Sequence, residues 1–144
     1  MEKQFIPYEQ ALELKELGFD EKCFKSYRQQ IKYEWYDLRS SKNIIFNKDE
    51  KIILSNGKID SHEKYLCDAP LWQQAFDWFR DTMLFDSWVT PYWFIDGEFK
   101  QKRYTFSIEP SNNFDEYFDC KAEDYDAYEE ARLECLKKLI NIIK

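Results

Sequence analysis

Between Ser87 and Ile108 the sequence reads "SWVTPYWFI", then Asp96-Gly97, then "EFKQKRYTFSI". Two runs of aromatic and β-branched residues meet at an Asp-Gly pair, the strongest short-range signal for an antiparallel hairpin. A loop made of Asp96 and Gly97 alone predicts a type I′ turn with positive φ at both positions. In that register Ile95 faces Glu98, Phe94 faces Phe99, Val89 faces Tyr104 and Thr90 faces Arg103. Pro91 cannot donate to a strand ladder, so its strand is expected at a sheet edge or with a bulge there.

Helical patterns stand on either side of this hairpin. Upstream, "DAPLWQQAFDWFRDTM" (68–83) opens with Pro70 in a position suited to the first helical turn. Plotted at helical spacing, Gln73, Gln74, Asp77, Arg80 and Asp81 share one arc, while Trp72, Phe76, Phe79 and Met83 form a ridge on the other. The ridge is read as core, and Trp78, at the rim of the apolar arc, as partly exposed. Downstream, a helix is expected over 126–143. Asp126 is read as its cap, Glu129 completes a capping-box pattern, and Tyr128, Ala131, Cys135, Leu136, Leu139, Ile142 and Ile143 form its apolar face. A first helix over 8–17 follows Pro7 and ends at Gly18, where a left-handed cap is wanted. Between the first two helices, "IKYEWY" (31–36) alternates with period two. "NIIF" and "KIIL" flank 47–50 as a hairpin, and "SNGK" (55–58) marks a turn. These elements predict a single domain over 1–144. It is of α+β class: two-layer, a mostly antiparallel sheet with about three helices packed on one face.

Charge is distributed unevenly. Residues 114–130, "FDEYFDCKAEDYDAYEE", hold eight acids and one lysine, a charge of −7 that equals the net charge of the whole chain. This argues against general phosphate binding, which needs a basic footprint. Lys100, Lys102 and Arg103 beside Tyr92, Trp93 and Tyr104 are a faint version of a single-strand nucleic-acid platform, outweighed by the acidic balance. No apolar run is long enough for a membrane-spanning helix, and "MEKQFIPYEQ" lacks the apolar core of a secretory signal, so no membrane association and a cytoplasmic location are expected. Cys23, Cys67, Cys120 and Cys135 are then read as reduced thiols.

Reaction chemistry is sparse. His62, the only histidine, sits in "IDSHEKY" and is read as a surface residue. There is no nucleophile elbow, phosphate-binding loop or calcium loop, and no zinc set, because one histidine and scattered cysteines do not supply four ligands. No cofactor, no metal and no catalytic residue are expected. The contact candidates are Asp115, Glu116, Tyr117, Asp119 and Glu123, where carboxylates alternate with rings, together with Trp78 and Trp93.

Three stretches, "FIPYEQALELKELGFDEKCF", "APLWQQAFDWFR" and "YEEARLECLKKLINIIK", resemble a family of small proteins encoded by gut Bacteroidetes and by their phages, crAss-like phages among them. The family commonly reads "F[DN]EPCF" after its first glycine, and here Lys22 stands at the proline. The resemblance implies a short phage or mobile-element protein with no assigned activity, and it brings no catalytic residues. The expectation is therefore a non-enzymatic accessory or protein-interaction protein in the bacterial host cytoplasm, with a protein partner, basic where it meets the acidic segment. The alternatives are a small-molecule or nucleotide-binding protein with a pocket between the sheet and the aromatic helix, and a small hydrolase.

Overall fold

The computed structural model describes residues 2–30, 33–46, 51–111, 118–119 and 124–144. It is an α+β chain with antiparallel sheets. Where the sequence points to one sheet, the described strands form three. The chain divides into two compact units, Met1–Leu71 and Trp72–Lys144.

In the first unit, α1 (Tyr8–Glu16) packs against β5 (Glu63–Ala69). Gly18, at φ 99°, ends the helix as expected. Its N–H donates to the Lys15 carbonyl at 3.1 Å, and the Phe19 N–H donates to the Leu14 carbonyl at 3.0 Å. These two bonds satisfy carbonyls that a helix end leaves open. The central strand, β1 (Lys25–Gln30), lies between β5 and β4 (Ile52–Asn56). Sequence periodicity misses β1, because the residues it buries are Ser26 and Arg28 rather than apolar ones. The Arg28 guanidinium donates to Ser26 Oγ at 2.9 Å and to the carbonyls of Gly57 and Lys58, and it meets the Glu63 carboxylate at 3.5 Å. A buried cation is tolerated only with such matching. Arg28 thereby ties the turn after β4 to the sheet.

The expected hairpin between "NIIF" and "KIIL" is not formed. The first run lies in β3 (Lys42–Phe46), which pairs with β2 (Tyr33–Asp37), and the second lies at the start of β4, which pairs with β1. The expected turn, 47–50, lies outside the described residues. The turn that does close β2–β3 is local. The Asp37 carboxylate accepts from the Arg39 N–H at 3.0 Å and from the Ser40 hydroxyl at 2.9 Å, and Ser41 takes φ 54°. An aspartate that folds its own following backbone is a common turn device.

In the second unit, α2 (Trp72–Asp81) packs on β6 (Phe85–Asp96), and α3 (Tyr128–Ile143) packs on β6 and on β7 (Phe99–Pro110). A short β8 (Phe118–Asp119) flanks β7. Of the ridge expected to be core, Trp72 and Phe79 are buried, with Ala75 and Trp78 beside them, whereas Phe76 is only half-buried and Met83, also half-buried, lies beyond the end of the helix. Trp78 corrects the sequence reading. It is 4% exposed, with its ring 5.1 Å from that of Phe79. The last helix starts at Tyr128, with Ala127 in the cap position and no side-chain cap. Asp126 does not cap it; the carboxylate is held instead by Arg103 of β7. The α3 face buries Ala131, Cys135, Leu136, Leu139 and also Ile140. No helix among the described residues is long and apolar enough to cross a membrane.

Candidate functional site

The β6–β7 hairpin has twelve paired positions, from Phe85↔Pro110 to Asp96↔Phe99. At strand rise it extends about 40 Å. The loop is Gly97-Glu98, one residue later than expected, so Ile95 faces Lys100 and Val89 faces Phe106. Gly97 takes φ 60°, while neither Asp96 nor Glu98 has positive φ. The turn is therefore of type II′, with glycine at its first central position, rather than I′. Each residue pairs two positions along from its expected partner, so the two faces keep the membership that the alternation gives them. A slip of one would have exchanged them. Pro91 lies on β6, an edge strand, as its missing donor demands.

One face, at its base, carries Tyr104, Phe106 and Ile108. Phe106 and Ile108 are buried. The Tyr104 ring meets Tyr128 of α3 at 6.1 Å, and Phe106 stacks on Tyr125 at the same distance. Toward the tip the same face carries Trp93 opposite Lys102 and Ile95 opposite Lys100. The other face carries Trp88, Thr90, Tyr92 and Phe94. With Thr105, Ser107 and Asp124 they bound an open hollow of about 620 Å³. Asp124 accepts a hydrogen bond from Tyr92, and this raises the phenol's pKa above its ordinary value. Five large apolar side chains of the hairpin, Trp88, Trp93, Phe94, Ile95 and Phe99, remain 43–62% exposed. They fall on both faces of the ribbon, Trp93 and Ile95 on one and Trp88, Phe94 and Phe99 on the other; large apolar groups left exposed together mark contact surfaces, whereas single exposed residues are ordinary.

The cations beside these rings are not equivalent. Arg103 is engaged, with Asp126 at 2.6 Å and Asp124 at 4.0 Å. Gln101 also donates to Asp126, at 3.2 Å. Lys102 Nζ stands 5.9 Å from the Tyr104 ring centroid. Two acids of the 114–130 segment are thus bound to the hairpin.

The structure separates the sequence-based candidates. Trp93 lies on the exposed hairpin and Trp78 in the core. Asp119 has its backbone in β8 opposite Ser107. Asp115, Glu116, Tyr117 and Glu123 lie outside the described residues. The reading missed Trp88, Phe94, Ile95 and Phe99. The available signal was that both faces of the hairpin read aromatic, where a sheet with one wet face normally alternates with polar residues.

The other polar centres among the described residues are local. The Asp60 carboxylate accepts from the His62 backbone N–H at 3.2 Å and from Ser61 Oγ, which lowers its pKa. These bonds close a turn rather than orient an imidazole. Burial pushes the Cys23 thiol up to about 12 and the Cys67 thiol up to about 11. Neither is a thiolate at neutral pH, the form that nucleophilic chemistry requires. Among the described residues no cluster of His, Cys, Asp and Glu is placed to hold a metal ion.

No protein-family model, curated protein or solved structure matches this chain.

Proposed function

We propose that this chain is a non-enzymatic interaction protein that contacts a protein partner through the exposed part of the β6–β7 hairpin. The observation that carries this reading is the concentration of Trp88, Trp93, Phe94, Ile95 and Phe99 on one ribbon, each well exposed. Buried aromatics are the residues that most often dominate binding energy in protein interfaces. Pro91 interrupts the outer edge of β6, so recognition by simple strand addition is disfavoured and side-chain contact on the faces is favoured. The acidic stretch 114–130 would draw a partner with basic surface around an apolar patch, acting through approach rate and orientation more than affinity. The resemblance to small proteins of gut Bacteroidetes and their phages supports an accessory role in a phage or mobile element, exercised in the host cytoplasm.

The test is site-specific photocrosslinking in the bacterial host, with a benzophenone amino acid at Trp93 or at Leu38, an exposed residue of the first unit. A discrete protein adduct from position 93, abolished by Ile95→Ser with Phe99→Ser, is expected. Absence of an adduct from position 93, or the same adduct from position 38, would remove the hairpin as the contact surface.

A further inference from the structure

The hollow on the Trp88 face of the hairpin has a floor of small side chains between two rings. Thr90 pairs with Thr105, and Trp88 pairs with Ser107. The antiparallel bridge between Tyr104 and Tyr125, closed by both backbone hydrogen bonds, sets Asp124 beside Thr105. One row across the ribbon therefore reads Thr90, Thr105, Asp124, with Trp88 two positions to one side of it and Tyr92 two positions to the other. At strand rise Trp88 and Tyr92 stand about 13 Å apart, and Phe94 about 7 Å further on. The rings thus form a row along the open space of about 620 Å³ rather than a closed cage.

The charge around this hollow has one sign. Asp124 is the single ionised group among the described residues that bound it. Arg103, in the next row, meets Asp126 at 2.6 Å and Asp124 at 4.0 Å. Two carboxylates therefore share one guanidinium, and one negative charge is left in excess. Asp124 already accepts from the Tyr92 hydroxyl, and its side chain is 39% exposed. A carboxylate offers about four acceptor positions, so Asp124 takes a further donor without losing the one it has. The hydroxyl of Thr90, an exposed residue, adds a neutral acceptor at the floor.

These features fit a cation with a flat face and in-plane donors. A quaternary ammonium is held by rings on several sides, which a row does not provide. A lysine ammonium is a compact, strongly hydrated point charge. A guanidinium stacks on one ring face and aims its N–H fork at a carboxylate. We infer that the hollow seats an arginine side chain of the protein partner, with its guanidinium stacked on Trp88 and donating to Asp124. The inference deepens the proposed hairpin contact and rests on it, naming the side chain that the acidic balance attracts.

The probe is the peptide acetyl-Leu-Arg-Leu-amide, titrated into the full-length chain and followed by tryptophan fluorescence and calorimetry. Saturable binding is expected, at least about tenfold tighter than that of the same peptide with citrulline, a neutral analogue of arginine of the same shape, and tighter than that of the lysine peptide. Asp124→Asn keeps an acceptor for Tyr92 and removes the charge. It should weaken the arginine peptide about tenfold and leave the citrulline peptide unchanged. No saturation at millimolar arginine peptide overturns the inference, as does equal affinity for the citrulline or the lysine peptide, or a folded Asp124→Asn that binds unchanged. If Asp124→Asn does not fold, Thr90→Lys decides, because it sets a cation on the floor beside an intact Asp124. Weakened arginine binding then supports the seat, and unchanged binding overturns it. Crosslinking from position 93, on the opposite face, reads the hairpin contact separately. An adduct there without peptide saturation overturns the arginine seat and leaves the hairpin contact standing. Selective peptide binding without an adduct supports the seat and removes the hairpin contact in the host.

Discussion

Arg103 and Asp126 meet at 2.6 Å, joining the middle of β7 to the chain two residues ahead of α3. The contact changes the role of an aspartate that the sequence assigns to capping. The two roles predict different substitution series. A cap tolerates Asp126→Ser and loses stability with Asp126→Ala. An ion pair loses its contribution equally with both. Asp126 is mostly exposed, so the pair is screened and is worth about 0.2–1 kcal/mol. We expect Asp126→Ser and Asp126→Ala to destabilise alike in urea titrations, and both effects to shrink in an Arg103→Ala background to what the Gln101 hydrogen bond contributes. Retention of full stability by Asp126→Ser alone would restore the capping role.

The hairpin turn gives a second discriminating pair. Gly97 has φ 60°, and a Cβ there would meet nothing within 4 Å, so the cost of substitution is purely conformational. Forcing a β-branched residue into the left-handed region costs at least about 1–2 kcal/mol. Asp96 is the last residue of β6, in ordinary strand conformation. Gly97→Val should therefore loosen the hairpin, seen as faster amide exchange across 94–101, whereas Asp96→Thr should leave exchange unchanged or slow it. A type I′ turn at Asp96-Gly97 would make both substitutions harmful.

Cys67 carries a pH dependence with a definite sign. Burial raises its pKa from the ordinary 9.0 to about 11 in the folded chain. Below pH 9 the thiol is protonated in both states and the folded state keeps its full contribution. As pH rises from 9 to 11 the unfolded chain releases this proton first, so stability is lost. Tyrosines and lysines titrate nearby in pH, so the comparison is a difference between variants. Cys67→Ala should lose less stability than the unsubstituted chain between pH 9 and 11, measured by chemical denaturation at each pH. Parallel pH profiles would show that Cys67 is not shifted on folding.

What the sequence makes legible follows from the kind of force that shapes each element. α2 and α3 bury large apolar faces, and helical spacing reveals them. The β6–β7 hairpin announces itself through composition and through Asp96-Gly97. By contrast, β1 is organised around the buried Arg28, whose partners Gly57, Lys58 and Glu63 lie about thirty residues away. No local pattern records such a network. The same limit explains Asp126, which looks like a cap until the strand bearing Arg103 is placed beside it. For the candidate site, strand alternation places Trp93 on an apolar face, and helical spacing places Trp78 at the rim of one. Only the packing of α2 and α3 decides which face is covered.

That contrast between Trp78 and Trp93 supports the last prediction. Both are tryptophans in aromatic stretches, yet one is 4% and the other 62% exposed. Truncating a buried tryptophan loses its transfer energy and leaves a cavity, about 3–5 kcal/mol. Trp93 has a cross-strand neighbour in Lys102, and such pairs are worth about 0.2–1 kcal/mol. Trp78→Ala should therefore shift the urea midpoint strongly, and Trp93→Ala should shift it little. Binding to the partner should follow the opposite order, since an exposed ring that contributes little to folding is retained for contact. A Trp93→Ala variant that is as destabilised as Trp78→Ala would mean that the hairpin face is covered in the folded chain. The interaction surface would then have to be sought elsewhere.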